Sequence, residues 1–232
     1  MARAADEGST GGMPFVKFTK IGDRLVGAFA SNVEECRRQQ RKFKTGELVW
    51  KDEAQTKPAL EEVMYFVAMP GTTAHVGADA PPSLSEPGAH VRFAVQGFKW
   101  GQVIDARKTL EPYSGFAAGR PCSGDVYTIE LVGRSKETDN PEAARKAGFE
   151  VVDGRVVMRN DEDFERWAMS RIRANQDTNA AKDYRITVRR PTGDEKRWEQ
   201  EADALFESKP WKSKAMAGGG AAPADDETLE PF

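Results

Sequence analysis

The chain has 232 residues, 39% hydrophobic and 31% charged, with a formal net charge of −3. This length fits one elaborated domain, or a domain with a small appendage. No stretch approaches the roughly 18 apolar residues a membrane helix needs. Two cysteines, Cys36 and Cys122, and two histidines, His75 and His90, exclude a disulfide framework and a zinc module.

Residues 1–14 are rich in Ala, Gly and Ser, which predicts a disordered N-terminal extension. They lack the apolar core of an export signal, so a cytoplasmic protein with free thiols is expected. Regular structure is expected over 15–207. From Gly22 onward, Leu25, Phe29 and Val33 fall on one face at even spacing, the pattern of a first strand. Gly27 inside that run predicts a bulge.

The segment Arg37 to Lys51 carries Arg37, Arg38, Arg41, Lys42, Lys44 and Lys51 against one acid, Glu47. Phe43 and Trp50 are interleaved, and Thr45-Gly46 marks a turn. Aromatic faces stack nucleobases for about 1–3 kcal/mol each, while basic side chains follow the phosphates. The bland alternative is a solvated basic hairpin with Trp50 folded into the core.

Leu60 to Met69 reads as a second strand with apolar residues on both faces: Val63, Tyr65 and Val67 against Met64 and Phe66. Pro70 to Pro87 reads as a long loop. A third strand follows at 91–97, with Val91, Phe93 and Val95 inward and Arg92 and Gln96 outward. Trp100, Val103, Ile104, Arg107 and Leu110 then share one face of a helix. Asp125 to Val132 is a fourth strand burying Tyr127, Ile129 and Leu131.

Residues 134–182 interrupt the strand series with an α/β insertion. Asn140-Pro141 starts a helix that Gly148 stops, and a hairpin turns at Asp153-Gly154. A second helix carries Phe164, Trp167, Ala168 and Ile172 on one face. Tyr184 to Arg190 resumes alternation as a fifth strand, leaving Arg185, Thr187 and Arg189 outside. A C-terminal helix at about 194–207 bears Trp198, Ala202, Leu205 and Phe206. Without the insertion, the order is three strands, a helix and two strands. The expected fold is therefore mainly β, a five-stranded OB-fold barrel with a helix between strands 3 and 4. The basic-aromatic segment and the insertion then sit where the binding loops after strands 1 and 4 belong.

Residues 208–224 read as a flexible linker, and 225–232 as an exposed acidic tail of Asp225, Asp226, Glu227, Thr228, Leu229, Glu230, Pro231 and Phe232. Its four carboxylates leave the rest of the chain at a formal +1, so any nucleic-acid surface must come from clustered charge. A terminal ring beside its own carboxylate suits a partner pocket with an apolar slot and basic walls. A merely solubilising tail would gain nothing from Phe232. Mobile acids of this kind would also compete with phosphates for the basic segment.

This tail resembles the acidic tip of bacterial single-stranded DNA-binding proteins, which finish in acids and Pro-Phe; some phage relatives end in acids and a final Phe. The run Gln39-Gln40 through Thr45-Gly46-Glu47 and Trp50 is similar to phage-type single-stranded DNA-binding proteins. The resemblance implies sequence-independent binding of single-stranded DNA in replication, recombination or repair, in the host cytoplasm if the protein is phage-encoded. It implies recruitment of replication or recombination proteins through Asp225, Asp226, Glu227, Glu230, Pro231 and Phe232. The N-terminal extension, the insertion and the short linker depart from the bacterial pattern, so a monomer or homodimer is expected in preference to a tetramer.

The expected DNA-contacting set is Arg37, Arg38, Arg41, Lys42, Phe43, Lys44, Trp50 and Lys51, extended by Arg92, Arg185 and Arg189. No metal, cofactor or membrane partner is expected. No phosphate-loop, HExxH or GxSxG signature points to an enzyme. Asp161, Glu162 and Asp163 read as acids favoured at a helix start, and Trp100, Trp167 and Trp198 as core. The alternative function is an OB-like protein-interaction adaptor that binds no nucleic acid.

Overall fold

A computed structural model describes residues 13–30, 37–39, 47–57, 59–76, 83–84, 86–110 and 124–208; at 37–39, 60–62, 76, 83–84 and 96–100 it describes the backbone alone. The protein is mainly β. Its strands are β1 (Val16–Lys17), β2 (Arg24–Phe29), β3 (Arg37–Gln39), β4 (Leu60–Ala68), β5 (His75–Val76), β6 (Ser83–Leu84), β7 (His90–Gln96), β8 (Val126–Glu137), β9 (Glu150–Val152), β10 (Arg155–Met158) and β11 (Ala181–Arg189). Helix α1 (Gly97–Lys108) follows β7, α2 (Pro141–Lys146) and α3 (Asp161–Arg173) flank the β9–β10 hairpin, and α4 (Lys196–Ser208) follows β11.

Eight strands form one antiparallel sheet, and its central path runs β7-β4-β2-β8-β11. The two long strands carry the branches. One edge of β4 pairs with β7, while its other edge is shared between β3 and β2. One edge of β8 pairs with β11, while its other edge is shared between β2 and β10. The sheet is not closed: among the described residues no ladder joins β7 to β11.

Side chains fill that seam. The rings of Phe93 on β7 and Tyr184 on β11 lie 5.2 Å apart, and Phe18 wedges against both at 5.6 and 5.1 Å. Phe18 belongs to an N-terminal strap that crosses the open edge. The Arg92 amide donates to the Pro14 carbonyl at 3.0 Å. Lys182 and Arg134 donate to the carbonyls of Phe18 and Thr19. The Asp23 carboxylate accepts from the amides of Thr19 and Lys20, which turns the strap into β2. The strap's β1 also pairs with β5, and β5 with β6, so the expected long loop at 70–87 carries two short strands of a separate small sheet.

The alternation predicted for β4 is explained by burial on both sides. Met64 and Phe66 join Leu25, Phe29, Phe93, Tyr127, Ile129 and Leu131 in the main core. Val63, Tyr65 and Val67 face a second layer, where α4 lays Trp198, Ala202 and Leu205 over Ala28 and Val126. Each large apolar side chain removed from water contributes about 1.5–3 kcal/mol, so α4 is anchored by its own stripe. Val156, Met158 and Trp167 make a third, small core in the insertion.

Local signals in the insertion act as their chemistry dictates. The Asn140 side chain accepts from the Ala143 amide with Pro141 opening α2, and Asn160 accepts from the Asp163 amide to cap α3. Asp153 and Gly154 both take positive φ, 47° and 73°, as a tight hairpin turn requires.

Three local expectations are corrected. Gly27 is not a bulge, because both ladders of β2 run through it in register. Its role is close approach: a Cβ there would lie 3.0 Å from the Cβ of Phe66. The register shift lies instead in β11, between Asp183 and Tyr184. The segment 134–182 does not begin as a separate unit, since β8 runs unbroken through Arg134 to Glu137. Ile172 lies outside the apolar face of α3 and is 59% exposed, because Trp167 and Phe164 already fill the space beneath the helix. Ser208, expected to open the linker, ends α4; Val33, Cys36 and Cys122, the N-terminal residues 1–12, the rest of the linker and the tail lie outside the described residues.

Candidate nucleic-acid interface

The basic segment starts as a strand. Arg37, Arg38 and Gln39 pair with Glu62, Glu61 and Leu60, so β3 extends the sheet along the free half of the β4 edge. Arg41, Lys42, Phe43 and Lys44 lie outside the described residues, and the structure next describes the segment from Glu47.

Residues 47–57 fold back on themselves ahead of β4. The Ala59 amide donates to the Val49 carbonyl at 3.0 Å, and the Lys51 amide to the Lys57 carbonyl at 2.8 Å. The turn between them is tied by Asp52, whose carboxylate accepts from the Thr56 amide at 3.0 Å, the Lys57 amide at 2.9 Å and the Thr56 hydroxyl. The Thr56 hydroxyl, followed by the Lys57 amide, holds the Asp52 carboxyl below its ordinary range. The carboxylate is thereby consumed by the turn.

This fold-back sets Lys51 and Lys57, both exposed, on paired backbone positions beside half-buried Trp50. Lys57 was missed in the sequence because it follows the acidic stretch Asp52-Glu53, outside the basic run. The available signal was the six-residue separation from Lys51 across an Asp-containing turn. An arm that pairs two cations on one face, with an aromatic residue next to them in the chain, carries the side-chain types that hold a phosphate backbone and stack a base.

The other expected contacts fall elsewhere. Arg92 is half-buried on β7, with its guanidinium carbon 3.9 Å from the centre of the Phe15 ring, so it engages the strap. Arg185 is exposed on the outer side of β11, 3.9 Å from Glu130. It completes a cross-strand row with Arg24 and Glu130. Arg189 grips both carboxylate oxygens of Glu195 at 2.5 and 2.6 Å. That fork pulls the Glu195 carboxyl down to about 2 and raises Arg189. Arg185 and Arg189 therefore stand apart from the arm, since β2 and β8 separate β11 from β4. At about 4.8 Å per strand, the offset is roughly 14 Å.

Trp167 and Trp198 are buried at 4% and 6% exposure and serve the core. The Trp100 side chain and the tail residues Asp225, Asp226, Glu227, Glu230, Pro231 and Phe232 lie outside the described residues. An open cleft of about 320 Å³ between α2 and α3 is lined by Asn140, Phe149, Trp167 and Arg171, among others. Among the described residues, no group of three His, Cys, Asp or Glu side chains is placed to hold a metal ion. No described helix is long and apolar enough to cross a membrane. No protein-family model, curated protein or solved structure matches the chain.

Proposed function

We propose that this chain binds single-stranded DNA without sequence preference, protecting exposed strands in replication, recombination or repair. The observation that carries the reading is the arm formed by the described parts of the basic segment, 37–39 and 47–57. Its basic run begins on a sheet-edge strand, and its return brings Lys57 opposite Lys51 beside Trp50. The fold reading that goes with it is an OB-type scaffold, open at the β7–β11 seam. Its support is the path β7-β4-β2-β8-β11 with α1 between β7 and β8, the strand arrangement of such a barrel with one ladder missing. The acidic tail would recruit replication or recombination proteins through Phe232 and its neighbouring carboxylates.

Phosphate neutralisation by the arm releases counterions, so the logarithm of affinity should fall with the logarithm of salt by about 0.7 per contact on a single strand. A salt-titrated gel shift with matched single-stranded and duplex oligonucleotides tests the reading. Tighter binding of the single strand, weakened by salt, supports it. Equal affinity for the two forms refutes it.

One observation favours the adaptor reading. The outer face of β4, including Tyr65 at 5% exposure, lies beneath α4 and is closed to bases. On that reading, charge reversal at Arg37, Arg38 and Arg41 leaves the protein's activity intact, whereas a DNA binder loses affinity.

A further inference from the structure

Helix α3 is fixed to the insertion by one side only. Trp167 is its sole buried residue, with Phe164 and Ala168 packed beside it. Turned away from Trp167, Met169 is 49% and Ile172 59% exposed. Their three-residue spacing makes them neighbours on the helix surface. Charge is ordered along the same side: Glu162 and Glu165 lie in the N-terminal half and Arg173 at the C-terminal end. Among the described residues none of these three takes part in an ion pair.

We propose that this side of α3 is a homodimerisation surface, packed antiparallel against the same helix of a second copy about a two-fold axis at Met169. The sequence is self-complementary for that arrangement. Glu165 precedes Met169 by four residues and Arg173 follows it by four, so the axis sets Glu165 of each copy against Arg173 of the other. Met169 meets its own counterpart at the axis, and Ile172 covers the aliphatic stem of Arg166. A two-fold contact of this kind uses one patch twice and closes on itself. The antiparallel setting also opposes the two helix dipoles favourably. A chemically unrelated partner would have no reason to match this acid–apolar–base order.

At about 20 Å long, α3 offers less than the roughly 800 Å² per partner of a standard stable interface. The dimer is therefore weak and depends on concentration.

Sedimentation of the full chain across a concentration series tests this. The weight-average mass should rise from the 25.6 kDa of the monomer toward twice that value. Met169→Glu sets a carboxylate in an apolar contact and Ile172→Lys sets a cation against Arg166 of the other copy; both positions are exposed, and each variant should raise the dimer dissociation constant roughly tenfold or more. Glu165→Arg alone and Arg173→Glu alone should each weaken association, because both place like charges together. The double variant E165R/R173E should restore it, since each pair is re-formed with its signs exchanged. That recovery separates a two-fold contact from misfolding and from a contact with some other surface. A chain that stays at 25.6 kDa throughout overturns the proposal. So does association that ignores the Met169 and Ile172 variants, or a double variant no better than the single ones.

Discussion

Arg107 of α1 and Asp125, the residue before β8, form an ion pair at 3.1 Å with side chains only 1% and 9% exposed. Arg107 also donates to the Tyr127 hydroxyl, and the Asp125 carbonyl accepts from the Phe29 amide. One cation thus ties the helix to the ends of β2 and β8. Arg107 lies on the stripe of α1 that its spacing predicts, and its role comes from Asp125, which arrives from 18 residues further along the chain.

Breaking that pair from one side strands a buried charge. Arg107→Met or Asp125→Asn should each cost about 3–5 kcal/mol, while replacing both together with apolar residues should cost less than either. Urea denaturation of the three variants measures this. Unchanged midpoints in the single variants would contradict it.

The strap should behave as a structural part of the sheet. Phe18 is 2% exposed between Phe93 and Tyr184, and Phe18→Ala should cost about 3–5 kcal/mol. Hydrogen exchange at the Arg92 amide, bonded to Pro14, should accelerate in the variant. Burial also pushes the Tyr184 phenol up to about 12. Because the folded value is raised, this group's contribution to stability is fully present below the ordinary value of about 10 and is lost as pH rises from there to 12. In Phe18→Ala, the Tyr184 titration should move back toward 10. A Tyr184 value that stays near 12 would mean the strap does not seal the seam.

The Arg189–Glu195 fork makes a prediction at the acid end. Glu195 is depressed to about 2, chiefly by its hydrogen bonds from Arg189. Its contribution is therefore present above the ordinary carboxylate range near 4.3 and is lost as pH falls from there toward 2. Solvent screening keeps the size below about 1 kcal/mol. Arg189→Gln should return Glu195 toward its ordinary value in an NMR pH titration. The part of the melting-temperature loss between pH 5 and pH 2 that comes from this fork should vanish with it.

Much of the scaffold could be read from local signals because those signals are local in origin. Period-two alternation named β4, β7, β8 and β11. Asn140-Pro141, Gly148 and Asp153-Gly154 fixed the insertion through backbone chemistry within a few residues. What could not be read depends on contacts distant in sequence. Gly27 is small because Phe66 crosses it, and Ile172 is exposed because Trp167 fills the space beneath α3. The strap's closure of the β7–β11 seam rests on Phe18 meeting residues some 75 and 166 positions away. At the arm, composition marked Trp50 and Lys51, whereas Lys57 became a candidate only through its backbone pairing.

The most direct test of the central claim is a tryptophan-fluorescence titration of the full chain with oligo-dT, run in parallel on Lys57→Glu and on the triple variant Arg37→Glu, Arg38→Glu, Arg41→Glu. Single-stranded DNA binding through the arm predicts quenching at low salt in the natural chain and a shallower salt slope, by about 0.7, for Lys57→Glu. It also predicts loss of binding in the triple variant. The melting temperature is preserved in Lys57→Glu and somewhat lowered in the triple variant, where acids at 37 and 38 face Glu62 and Glu61, so binding is compared below that melting temperature. Absence of binding by the natural chain at low salt, or equal affinity in the folded triple variant, would contradict it.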